Sequence, residues 1–80
     1  MENIRDIVTI DSEILGGQPV FKNTRVPIDS LFAHFEMGLS LDDFLNDFPS
    51  VSKVQALKVL EMAERLMASK NIVQLYEAAA

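Results

Sequence analysis

Apolar positions along the chain change their period once, near Pro27. Before it, Ile7-Val8-Thr9-Ile10 is a β-branched, apolar run that predicts a strand. Asp11-Ser12-Glu13 reads as a turn or a short helical start. Val20-Phe21 and Arg25-Val26 flank Lys22-Asn23-Thr24, the pattern of a small hairpin. Val26 precedes a proline and is pushed toward extended geometry. After Pro27 the spacing is helical. Ile28, Leu31, Phe32 and Phe35 fall at i, i+3, i+4 and i+7, which predicts a first helix from about Pro27 to Met37. Pro27 suits the first helical position, and Gly38 suits a left-handed cap at the end.

Leu41, Phe44, Leu45 and Phe48 repeat the spacing in a short second helix. Ser40 is its cap, Asp43 the reciprocal partner three residues on, and Pro49 the stop. Ser52 and Gln55 form the same pair at the start of a third helix that runs to about Met67, rich in Ala, Leu, Glu, Lys and Met. The expected fold is mainly α: a tri-helical, homeodomain-like helix-turn-helix preceded by a small N-terminal β-hairpin arm. One domain spans 1–80, divided into an arm (1–26), a helical core (27–67) and a C-terminal extension (68–80). Phe21, Phe32, Phe35, Phe44 and Phe48 are expected to form the core rather than a stacking platform.

Composition narrows the picture. Eighty residues leave room for one domain, and a chain of this length buries only roughly 60% of its unfolded surface. With no cysteine, neither disulfides nor thiolate metal sites can staple it, so a homodimer is expected for a chain that is 49% hydrophobic. The start shows no basic segment followed by a long apolar run, and no apolar stretch approaches bilayer length. A cytoplasmic protein without a membrane span is therefore expected. Net charge is −5, with an isoelectric point of about 4.6. That argues against broad phosphate binding, but it leaves room for a local basic stripe.

Such a stripe can be drawn on the third helix. Gln55, Lys58, Met62, Arg65 and Ser69 fall on one face; Val59, Leu60, Ala63, Leu66 and Met67 fall opposite, toward a core. Lys53, Lys58 and Arg65 could reach phosphates and Gln55 a base edge, with Lys22 and Arg25 on the turn as further contacts. A solvated face is the competing reading, because Glu61 and Glu64 share the helix and Gln55 can be spent on its own cap. Arg25 has an equal claim to a structural ion pair or carbonyl cap. Gly17, Pro19, Asn23, Thr24 and Pro27 read as turn architecture rather than ligand binding.

No catalytic or metal constellation emerges. Asp42 and Asp43 are neighbours on a helix and do not converge; they suit its first turn. Asp29 and Asp47 lack the spacing of a calcium loop. His34 has no Cys, Ser or second His at useful spacing, and a surface or boundary position is expected for it. No enzyme activity, cofactor or metal is expected. Beyond Met67 the chain keeps Ile72, Leu75 and Tyr76 at i, i+3, i+4. These could dock in a partner's groove or pack on the protein's own dimer.

The string Gly17-x-Pro19-Val20…Thr24-Arg25-Val26-Pro27, followed by Gly38, Ser40, Phe48-Pro49 and a Leu-rich third helix, resembles domain-of-unknown-function family 433 over about residues 7–67. The family usually has Gly where this chain has Asn23; both residues accept positive φ. The resemblance implies a β-turn arm before a homeodomain-like helix-turn-helix, usually dimeric. It also implies an antitoxin of a type II toxin–antitoxin pair that sequesters a PIN-like ribonuclease toxin and represses its own operon by binding operator DNA. The alternative is a protein-interaction module with the helix-turn-helix shape that binds no DNA.

Overall fold

The computed structural model describes residues 3–79. A 3-10 turn at Ile4–Asp6 leads into β1 (Val8–Thr9), which pairs antiparallel with β2 (Val20–Phe21) in the register Val8–Phe21 and Thr9–Val20. Four helices follow: α1 (Asp29–Glu36), α2 (Leu41–Asp47), α3 (Lys53–Met67) and α4 (Lys70–Ala78). The protein is thus mainly helical with a two-stranded N-terminal arm.

The arm holds its shape through local hydrogen bonds. Phe21 N–H donates to the Val26 carbonyl (3.0 Å) and Thr24 N–H to the Phe21 carbonyl (3.1 Å). The Thr24 hydroxyl donates to the same Phe21 carbonyl (2.8 Å) and accepts from Val26 N–H (3.1 Å). Asn23 sits at φ 62°, the left-handed region its type tolerates. The turn therefore forms where the sequence puts it. The strand is shorter than expected: Ile7 is buried just before it, and Ile10 is 68% exposed. Pro27 also differs from expectation. It bridges to Val20, and α1 begins two residues later at Asp29. Its carbonyl accepts from Ser30 N–H (3.1 Å), so the chain tightens into a turn before the helix starts.

The helix ends follow the sequence closely. Gly38 (φ 79°) closes α1: its N–H donates to the Phe35 carbonyl and Leu39 N–H to the His34 carbonyl, both at 2.9 Å. Only a residue at ease with positive φ allows this pair of bonds. Ser40 Oγ accepts from Asp43 N–H (3.1 Å) and Asp43 Oδ2 from Ser40 N–H (2.8 Å). The Ser40 N–H, and after it the Ser40 hydroxyl, hold the Asp43 carboxyl below its usual range. Ser52 and Gln55 form the same reciprocal pair at α3 (3.1 and 2.9 Å).

The core is assembled from Ile7, Phe21, Val26, Leu31, Phe44, Val51, Ala56 and Val59. Phe32 and Phe48 pack against it half-buried, while Phe35 lies 36% exposed. The stripe of α1 is narrower than four residues, because an eight-residue helix meets the body along only one side. Met62 packs on the core, against expectation, and Leu66 and Met67 stand in solvent. The burying face of α3 is the Ala56–Val59 line, and the last turn of the helix runs past the body.

His34 also departs from expectation. It is 9% exposed. Nδ1 lies 2.8 Å from the Ser30 carbonyl and Nε2 lies 2.9 Å from Asp47 Oδ2. Both neighbours are acceptors, so the doubly protonated ring satisfies both and the neutral ring only one. The Asp47 hydrogen bond raises the His34 pKa above 6.5; burial opposes, and the Ser30 carbonyl adds to the rise. The pair ties α1 to the end of α2.

Two expectations follow. His34 is charged in both folded and unfolded chains below about pH 6.5, and only in the folded chain just above it. Its contribution is therefore whole below that pH and is lost as pH rises through the raised folded value. The stability gap between the native chain and Asp47→Asn, from urea unfolding between pH 6 and 9, should narrow toward alkaline pH; a constant gap would contradict the tie. The second concerns Gln55, whose Nε2 also donates to the Lys22 carbonyl (2.9 Å), joining arm to helix. Gln55→Ala should cost about 1–2 kcal/mol, from the cap and the stranded carbonyl together. A loss below about 0.5 kcal/mol in the same assay would mean that water replaces both.

Candidate nucleic-acid and partner interface

The proposed basic stripe is only partly assembled. Lys53 is exposed in the first turn of α3. Lys58, one and a half turns on, is half-buried. Arg65 pairs with Glu61 one turn back, and both side chains are largely exposed. A pair of this kind is worth little in water, about 0.3–0.5 kcal/mol, so it can open for a phosphate. Gln55 is more firmly committed: its oxygen caps the helix and its amide nitrogen holds the arm, which ties it away from any base edge.

On the arm, Lys22 Nζ donates to the Arg5 carbonyl (2.9 Å). That bond fixes the β2 turn against the segment before β1. Among the described residues Arg25 makes no hydrogen bond or ion pair, so the structural role considered for it is not seen there. It stands exposed beside the turn. Gly17, Pro19, Asn23, Thr24 and Pro27 all lie in the arm. Gly17 (φ 90°) follows Leu15 (φ 48°) and Gly16 (φ 66°) in a left-handed loop. Pro19 accepts from Ile28 N–H (3.0 Å) at the entrance to α1.

The extension is a helix. Ser69 precedes it, its hydroxyl donating back to the Leu66 carbonyl (2.7 Å). Ile72 is half-buried; Val73, Leu75 and Tyr76 are exposed, Tyr76 to 83%. No residue of α4 is buried. The expected i, i+3, i+4 spacing is therefore realised on a helix that shows most of its apolar stripe to solvent. Among the described residues no cluster of three or more His, Cys, Asp or Glu could hold a metal ion. No helix there is long and apolar enough to cross a membrane.

Two features escaped the sequence reading. The His34–Asp47 pair joins residues 13 positions apart on different helices, and helical periodicity carries no signal for it. The other is an apolar groove gathered from the arm, α1 and α3.

Comparison with known proteins places these features in context. The curated "Uncharacterized protein y4eO" of Sinorhizobium fredii is 33% identical over 70 residues, covering 85% of this chain and 32% of the relative. The chain thus spans about a third of the length of that relative. No solved structure matches. The family described as "Protein of unknown function (DUF433)" matches residues 8–63, from β1 through most of α3, and the chain belongs to that family.

Proposed function

We propose that the protein is the antitoxin of a type II toxin–antitoxin pair: a non-enzymatic, cytoplasmic homodimer that holds a PIN-like ribonuclease through α4 and represses its own operon. The observation that carries the reading is α4, a nine-residue helix with an exposed apolar stripe. An apolar helix face that its own fold leaves open is the usual ligand of a hydrophobic groove. The resemblance of the Gly17–Pro27 string to the family supports the antitoxin role. Operator binding would fall to Lys53, Lys58 and Arg65 on α3, with Lys22 and Arg25 at the arm.

A second reading, a protein-interaction module that binds no DNA, is favoured by a specific observation. Gln55 is spent within the fold, and Lys22 and Arg65 already have acceptors. In a chain of net charge −5 this leaves little positive surface on α3.

The nuclease reading is tested with Leu75→Glu and Tyr76→Glu, at positions too exposed to affect folding. Against a co-expressed nuclease from the adjacent reading frame, these variants should lose co-purification and inhibition of RNA cleavage at least tenfold. Undiminished inhibition would place the contact elsewhere. An electrophoretic shift on the chain's own upstream region tests the DNA arm. Lys58→Ala should weaken binding to all sequences and flatten the salt slope by about one unit. No shift by the native protein at low salt would leave the protein-only reading standing.

A further inference from the structure

The side of α3 that lines the apolar groove consists of Val59, Met62, Ala63 and Leu66, spaced i, i+3, i+4, i+7. Ile10 of the arm and Phe32 of α1 belong to its other walls. The stripe on α4 continues to the residue just past the helix: Ile72, Leu75, Tyr76 and Ala79 have the same spacing. The two lines mirror each other about Ser69. Leu66 and Ile72, Ala63 and Leu75, Met62 and Tyr76, and Val59 and Ala79 each stand at equal distances from it along the chain. In an antiparallel pair of helices, residues equidistant from the turn face each other. The two stripes are therefore in register for a chain that reverses at Ser69, and neither carries a charge. Only Ala68 and Ser69 separate the helices, a link of the length that joins helical hairpins.

α4 needs cover to be a helix at all. None of its residues is buried, and an isolated helix shorter than about 12–15 residues is marginal in water. The chain exposes 5939 Å², about 1,100 Å² more than a compact chain of 8.9 kDa. That surplus lies on α4 and the last turn of α3, where Leu66, Leu75 and Tyr76 are 65%, 65% and 83% exposed. Laying α4 along α3 buries both stripes at once. What holds α4 in its extended position is local: the Ser69 N–H (3.3 Å) and hydroxyl (2.7 Å) both donate to the Leu66 carbonyl.

We propose that α4 has a second position, folded back antiparallel to α3 with Ile72, Leu75 and Tyr76 in the groove of its own chain, and that it leaves the groove to hold the nuclease. The groove and the nuclease then compete for one apolar stripe, and the chain shields that stripe while it is alone. The extended arrangement is the one that presents α4 to a partner. Rotation about the backbone of Ala68 and Ser69 connects the two positions. The competition rests on the nuclease contact of the proposed function; the fold-back does not.

Tyr76 is the one tyrosine of a chain without tryptophan, so its fluorescence reports α4 alone. In the full chain without nuclease, acrylamide should quench it at least threefold less than in Ile10→Lys combined with Leu66→Lys, which places charge in the groove at two exposed positions. The protection should be the same at micromolar and at tens of micromolar protein. Equal quenching of the two proteins, or protection that appears only at the higher concentration because a second copy covers the stripe, would overturn the proposal. A cysteine pair in this cysteine-free chain gives a second measure that leaves the groove uncharged. Ala63→Cys with Leu75→Cys should close an intramolecular disulfide at least tenfold faster than Ala63→Cys with Gln74→Cys, whose second position lies on the far side of α4. Equal rates would overturn the fold-back and leave the nuclease reading standing. The locked chain should lose nuclease inhibition at least tenfold and regain it on reduction. A chain that locks and inhibits undiminished would overturn the competition and the α4 contact, with the fold-back intact.

Discussion

Phe44 is where the separate pieces of this small protein meet. Its ring lies 5.7 Å from Phe21 of the arm, 5.3 Å from His34 of α1 and 5.1 Å from Phe48 at the end of α2. The His34 ring meets it edge-on, at 90°. A buried phenylalanine in such a cluster is worth about 3–5 kcal/mol against alanine, a large share of the roughly 5–15 kcal/mol that separates folded from unfolded domains. Few other side chains are fully buried, so there is little redundancy. Two polar contacts join the same pieces: Asp47 holds His34 of α1, and Gln55 holds the arm to α3.

A thin core has a consequence for the rest of the surface. α1 and α2 are eight and seven residues long, too short to cover the sides of a 15-residue α3. The last turn of α3 and all of α4 therefore run beyond them. The Cα radius of gyration is 14.1 Å, where a compact chain of this length would have about 11.6 Å. Apolar residues on the projecting part, Leu66, Met67, Val73, Leu75 and Tyr76, are each more than half exposed. Isolated exposed aliphatics need no explanation, but a groove and a helix stripe on one chain call for partners.

What the sequence disclosed and what it hid divide along range of interaction. Helix ends were legible because a cap is decided within three residues: Ser40 with Asp43, Ser52 with Gln55, Gly38 alone. The Lys22-Asn23-Thr24 turn was legible for the same reason. Periodicity tells which residues share a face but not how wide the buried face is, so Phe35, Leu66 and Met67, expected inward, lie outward. Met62 departs in the other direction: it packs half-buried against the core. The environment of His34 comes from Phe44 and Asp47 on the next helix and from Phe48 just after it, beyond the reach of helical periodicity. The cap of Gln55 is legible in the sequence, but its second bond to Lys22, 33 residues away, is not. The groove is the most distributed feature, and no local pattern encodes it.

That same bond shapes how the two ends of the molecule can act together. Gln55 bonds the Lys22 turn to the first turn of α3, so Lys53 and the arm cations Lys22 and Arg25 lie toward the same end of that helix. α3 extends from there as a single rod of about 22 Å to the junction with α4. A partner on Leu75 and Tyr76 would thus sit a fixed distance from anything bound at the N-terminal end of α3. Communication between them requires no internal rearrangement. It is steric and geometric, set by the length of α3.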